Sequence, residues 1–261
     1  MMGIGDDIMV TGEFRHLGEI GHKILPILEG KPTWSPMWDN IPWMVKYDGI
    51  PTEVKPNGKR WYVQSWTDHI EYTDWKCTPG VLRFTEAEMA VAQSRVPREP
   101  FCIINPDFKS TTTANNKDWG WDNWQRLTNL LSEVMTVVHL VPPVNYVDVS
   151  GLVKVSNKRL GNAVPIETNT PREAFAILDF ADFFVSSEGG LHHAAGALWK
   201  RGVVIFGGFI SPHSTGYSRH INIADSGPPC GTLYKPCRHC REIMNNISPD
   251  MVYKIIDKNL R

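Results

Sequence analysis

The chain has 261 residues, 42% hydrophobic and 21% charged, with a net charge of −1. That length holds one large domain or two small ones, each with a real core. The near-zero charge excludes a global basic field for nucleic acid or anionic lipid and leaves room only for a local patch. No apolar run approaches the roughly 20 residues of a membrane helix. The chain turns polar by Asp6, unlike a signal peptide, so the expected compartment is the cytoplasm. Five cysteines, an odd number with three clustered, do not read as a secreted disulfide framework.

Gly3-Ile4-Gly5-Asp6 opens the chain as a two-glycine turn before an acidic helix start. The first hundred residues are otherwise irregular, with short apolar runs at Ile24–Leu28 and Trp61–Trp66 and an acidic, aromatic stretch from Asp68 to Trp75. Thr85 caps a predicted helix over Thr85–Ser94, with Glu86 and Glu88 at its positive end. Two prolines within Val96–Pro100 mark a linker. Residues 1–96 are therefore expected to form a small N-terminal lobe and residues 97–248 a larger one.

After the linker, strands and helices alternate. Phe101–Ile104 predicts a strand, followed by a hydroxyl-rich loop at Ser110–Thr113, which contains Thr111 and Thr112. Trp121–Val134 predicts a helix, Val137–Val141 a strand, and Lys154–Val155 and Val164–Ile166 weaker strands. Pro171–Phe180 predicts a helix capped by Thr170, with proline at the first turn, where its missing N–H costs nothing. Strand Phe183–Ser186, helix Leu191–Leu198 and strand Val203–Phe206 come next, and Ser248 caps a closing helix at Pro249–Lys258, within residues 249–261. This alternation predicts a parallel sheet covered on both faces, with ligands beyond the strands' carboxyl ends.

Four segments at such positions carry chemistry. Asp6 is a carboxylate at a helix tip, suited to act as a base; the plainer reading is a helix start. Lys117 precedes a helix beside hydroxyls and suits a diphosphate; alone, it reads as a solvated lysine among core tryptophans. Ser186–Leu198 brings Glu188, Gly189, Gly190, His192 and His193 into one strand-to-helix turn whose bare N–H groups face the crevice. Gly207 and Gly208 start a second glycine loop able to bring backbone N–H groups to a phosphate. Cys230, Cys237 and Cys240 are spaced C-x6-C-x2-C; with His213 or His220 they form a candidate structural zinc site, against the plainer reading of buried free thiols.

Together these motifs resemble the heptosyltransferase-like glycosyltransferases, glycosyltransferase family 9. Gly3-Ile4-Gly5-Asp6 is similar to the family's Gly-x-Gly-Asp loop, and Lys117-Asp118-Trp119-Gly120 to its Lys-x-Trp-Pro motif. Glu188-Gly189-Gly190-Leu191-x-His193 is similar to its Asp-x-Gly-Leu-x-His motif, and Phe206 through Tyr217 to its Phe-Gly-Pro…Gly loop. The resemblance implies an α/β fold of the GT-B type: two Rossmann-like lobes facing a cleft, the N-terminal one reduced and on the acceptor side. It implies inverting, metal-independent transfer from an ADP-heptose-like donor to a saccharide or other hydroxyl acceptor, with no cofactor beyond that nucleotide-sugar. Asp6 would be the general base, Lys117 would neutralise the leaving diphosphate, and His193 would complete the catalytic set. Gly5, Thr111, Thr112, Glu188, Gly189, Gly190, Leu191, Gly207 and Gly208 would join Lys117 and His193 around the donor. The alternatives are transfer to a modified nucleic-acid base, or a catalytically inactive nucleotide-sugar-binding protein.

Overall fold

Two helices, α1 (Ile4–Glu13) and α2 (Arg15–Glu19), open the computed structural model, which describes residues 3–28, 31–47, 54–56, 62–64, 69–106, 114–142, 158–233 and 235–261. Strands β1 (Leu25–Leu28), β2 (Lys31–Pro32) and β3 (Val54–Pro56) form a small mixed sheet; β4 (Tyr62–Gln64) and β5 (Ile70–Tyr72) pair antiparallel. Helix α3 (Glu86–Gln93) starts where the sequence predicts, at a Thr85–Glu88 capping box. Residues 97–100 then lead without regular structure into the main sheet.

That sheet contains β6 (Phe101–Asn105), β7 (Thr136–Val141), β8 (Val164–Glu167), β9 (Phe183–Ser187), β10 (Gly202–Gly207) and β11 (His220–Ala224), in the order β11-β10-β9-β6-β7-β8. Every neighbouring pair is parallel. Alternate side chains go to opposite faces, as the pleat requires. Ile103, Phe184, Val204 and Phe206 join one core, which takes in apolar residues of α1, α5 (Pro171–Leu178) and α6 (Gly190–Ala197). Cys102, Ile104, Phe183, Val185, Val203 and Ile205 join the other, under α4 (Trp121–Ser132), α8 (Arg238–Asn246) and α9 (Pro249–Asn259). Burial on both faces explains why these strands read as unbroken apolar runs.

The observed elements match the expected ones within a few residues. After the linker the additions are β11, the short α7 (Pro212–Thr215) and α8; before it, α2 and β1 to β5 were not expected. The Lys154–Val155 strand and the Ser110–Thr113 loop, including Thr111 and Thr112, lie outside the described residues. No helix among the described residues is long and apolar enough to cross a membrane.

Helix α1 packs against α6 and the segment before α3. Thr11 Oγ1 donates to the Val81 carbonyl (3.1 Å) and accepts from the Val81 N–H (2.7 Å); Arg15 donates to the Gly80 carbonyl. The N-terminal residues are thereby joined to the face of the main sheet.

Candidate functional site

The strand order reverses between β6 and β9: the chain runs outward through β7 and β8, returns beside β6, then continues outward through β10 and β11. A reversal of this kind opens a crevice at the strand carboxyl ends, where open α/β sheets bind ligands. Lys117 ends the 3-10 turn Ala114–Lys117 that follows β6, and Glu188 directly follows β9.

The two side chains meet. Lys117 Nζ is ion-paired with Glu188 Oε2, and Glu188 is only 5% exposed. The other carboxylate oxygen lies 3.4 Å from His193 Nε2. His193 Nδ1 is 2.8 Å from the Tyr217 hydroxyl, which in turn bonds the Cys77 thiol. Burial alone would raise the Glu188 carboxyl pKa, but the Lys117 ammonium and the His193 hydrogen bond outweigh it and hold the group below the ordinary range. Burial and the Cys77 contacts keep Tyr217 protonated, its pKa well above the phenol value, and burial pushes Cys77 up to about 12. A protonated Tyr217 can donate to Nδ1, leaving the His193 Nε2–H to face Glu188. Phe209 covers the lysine, its ring centroid 5.5 Å from Nζ, and the Lys117 carbonyl accepts from Ser187 Oγ at 3.4 Å.

The tip of α1 adjoins this cluster. A Cβ on Gly5 would stand 2.6 Å from His193 Cδ2, so only glycine permits the approach. A Cβ on Gly190 would lie 3.9 Å from the Gly5 nitrogen, so the first turns of α1 and α6 touch and their positive ends share one location. Asp6 sits in that first turn and accepts from the Gly3 N–H at 2.9 Å. A side chain at Gly189 would meet nothing within 4 Å, so that turn faces open space. Leu191 instead packs in the core at 7% exposure.

Asp7, passed over in the sequence, has a carboxyl raised to about 6, chiefly by burial and then by the Asp6 charge, against the Ser35 hydrogen bond. Its backbone carbonyl accepts from the Trp38 indole at 2.8 Å. Trp38 lines a cavity of about 640 Å³ with Trp34, Asn40, Lys46, Glu88 and Arg172. The cavity wall therefore touches α1 through Trp38.

Gly207 and Gly208 have a packing explanation of their own. Gly207 has φ 64, and side chains at these positions would run into Met244 and Ile243 of α8 at 2.4 and 2.3 Å. His192 is completely buried among His193, Phe206, Tyr217 and His220; burial and the neighbouring imidazoles drive its pKa well below the usual value, and neither ring nitrogen has a hydrogen-bond partner among the described residues.

The sulfurs of Cys230, Cys237 and Cys240 lie within 4.8 Å of one another, and the first two are 3.2 Å apart. No histidine among the described residues joins them. The His220 ring lies instead 5.0 Å from that of Phe184 and 5.2 Å from that of His192, which corrects the expectation that it would serve as fourth ligand. His213 does not complete the group either.

A family model described as glycosyltransferase family 9 (heptosyltransferase) matches residues 63–245. Among solved structures, the chain is similar to the iron-containing dodecameric glycosyltransferase TibC of enterotoxigenic E. coli (20% identity, TM-score 0.51, covering 70% of this chain and 49% of that one). It is similar to TibC in complex with ADP-D-β-D-heptose (19%, TM-score 0.50, 70% and 49%) and to a family 9 glycosyl transferase of Veillonella parvula (12%, TM-score 0.50, 72% and 56%). The chain spans about half the length of these structures, and at such identities the likeness is one of fold. No curated protein sequence matches it significantly. The parallel sheet with its switch-point crevice is the α/β, GT-B-type fold expected, and the family match extends over most of the chain. With the lysine, glutamate and histidine motifs inside that match, the chain belongs to glycosyltransferase family 9.

Proposed function

We propose that this protein transfers a glycosyl group, with inversion and without a metal in the chemical step, from a nucleotide-diphosphate-sugar of the ADP-heptose kind to a hydroxyl acceptor. One observation carries the reading: Lys117 and Glu188, from loops after adjacent strands, meet at the switch point where the tips of α1 and α6 touch. The ADP-D-β-D-heptose complex of TibC supports the choice of donor. The acceptor hydroxyl oxygen attacks the anomeric carbon and gives its proton to Asp6. The anomeric C–O bond breaks, and its electron pair leaves on the diphosphate oxygen. Lys117 and the helix N-termini neutralise that growing charge, which is the work a metal does elsewhere. Glu188 accepts donor hydroxyls, His193 holds Glu188, and the Gly189–Gly190 turn brings N–H groups to the phosphates. We place the acceptor, a saccharide, in the Trp34–Trp38 cavity that adjoins α1, where an indole face and polar side chains suit a sugar ring.

The three cysteines supply a soft donor set at the spacing of a structural metal, zinc or the iron named for TibC. Such an ion stabilises the loop and takes no part in transfer. Free thiols in this number suit the cytoplasm.

Asp6→Asn tests the central claim. Turnover with ADP-heptose and a saccharide acceptor should fall about 10² to 10⁴-fold, with donor affinity by calorimetry unchanged. Full turnover by Asp6→Asn would remove the base from the mechanism.

A further inference from the structure

Lys117 reaches the crevice on a long side chain, so its ammonium is placed only as well as its backbone. The residue before it supplies the anchor. Asn116 is 4% exposed, and its amide is fully engaged. Nδ2 donates to the carbonyls of Thr232 (2.9 Å) and Lys235 (3.3 Å), and Oδ1 accepts from the Cys237 N–H at 2.8 Å. All three partners lie in the loop that carries Cys230 and Cys237, and Cys240 follows in the first turn of α8. The same loop is fastened at its start: the Cys230 N–H donates to the Gly208 carbonyl (2.8 Å), the Gly231 N–H to the Phe209 carbonyl (3.2 Å), and the Ile70 N–H to the Gly231 carbonyl (2.9 Å). Phe209 is the ring that lies against the Lys117 ammonium. The cysteine loop thus grips the site from two sides, by Asn116 beneath Lys117 and by Phe209 beside it.

We propose that Asn116 is a positioning residue that makes nucleoside-diphosphate binding at Lys117 depend on the state of Cys230, Cys237 and Cys240. A metal ion bound by the three sulfurs holds Thr232, Lys235 and Cys237 where their two carbonyls and one N–H reach a single amide. With the sulfurs unligated, the loop relaxes, Asn116 loses its grip, and the Lys117 backbone shifts. The inference rests on the donor-site reading of Lys117, and the experiment separates the two.

ADP, GDP and UDP are titrated calorimetrically into wild-type protein, Lys117→Ala, Asn116→Ala, the double variant and Cys237→Ser. Each protein is measured with one equivalent of zinc and again after chelation, and circular dichroism and melting temperature confirm folding. With zinc, Lys117→Ala and Asn116→Ala should each weaken the preferred nucleotide about tenfold, and the double variant no further than Lys117→Ala alone, as for two residues acting through one contact. Chelation should weaken the wild type by about the same factor and leave Asn116→Ala unchanged. Cys237→Ser retains the backbone N–H that Asn116 uses, so it should bind with zinc present as the chelated wild type does.

Wild-type affinity in Asn116→Ala, or losses that multiply in the double variant, would overturn the positioning role. Nucleotide affinity indifferent to chelation and to Cys237→Ser would overturn its dependence on the cysteines. Wild-type affinity in Lys117→Ala, or no binding of any of the three nucleotides by the wild type, would instead overturn the donor-site reading.

Discussion

Asp7 shows how one side chain at the α1 tip shapes behaviour with pH. Its folded pKa, about 6, lies above the ordinary carboxyl value of 3.8, so between these values the folded chain binds the proton that the unfolded chain releases. Its contribution is therefore fully present below about pH 4 and is lost as pH rises through about 6. Asp7→Asn keeps the shape and removes the charge; by urea denaturation it should gain about 2 kcal/mol at pH 7 and flatten the slope between pH 4 and 6. Equal stability of the two proteins at pH 7 would refute that. The meeting of Lys117, Glu188 and His193, with Asp6 in the first turn of α1, was legible in the sequence as far as placement goes, because a cation and carboxylates at glycine-bounded turns form a local pattern. Tyr217, Cys77 and Asn116 were not: their roles come from contacts across the fold, such as the bond between Cys77 and Tyr217, and no local pattern encodes them.

Helix α3 illustrates how an element is held at both ends of its meaning, locally and by the fold. Thr85 Oγ1 accepts from the Glu88 N–H at 3.2 Å, and the Glu88 carboxylate accepts from the Thr85 N–H at 2.7 Å. The same carboxylate takes the Arg172 guanidinium of α5 at 2.8 and 3.0 Å, and that contact holds Glu88 well below the usual carboxylate range despite the cost of burial. Thr85→Ala should cost about 1 kcal/mol, the ordinary value of a cap. Glu88→Ala should cost about 3 kcal/mol, because Arg172, 8% exposed, is left without its counter-charge. Denaturant midpoints of both variants check the ratio. The cap was readable because Thr-x-x-Glu is a local signal. Helix α8 was not readable: only Cys240 and Met244 of its nine residues are buried, too few to set a period. Strands β1 to β5, two to four residues each, are likewise too short to alternate visibly.

At the scale of the molecule, the buried imidazoles set acid tolerance. Burial holds His139 and His220 near pKa 4 and His192 well below the usual imidazole value, while these side chains in the unfolded chain titrate near 6.5. The unfolded state therefore takes up protons first: stability is whole above pH 6.5 and falls toward pH 4, by up to about 1.4 kcal/mol per pH unit for each ring. Asp7 opposes this below pH 6 with a single group. Net stability should drop by at least about 2 kcal/mol between pH 7 and pH 5; a flat urea midpoint over that range would contradict the neutral assignment of the rings.

The contact between Gly5 and His193 has a consequence for how the chain is made. On a ribosome adding roughly 5–20 residues per second, α1 emerges some 10 to 40 s before α6 exists to receive it. During that interval Ile8, Met9 and Val10, later among the best-covered side chains, have no lasting shelter. Helix α1, made well before α6, thus finds its place only after α6 exists. Nascent chains stalled short of residue 190 should be clients of holding chaperones and sensitive to proteases within α1.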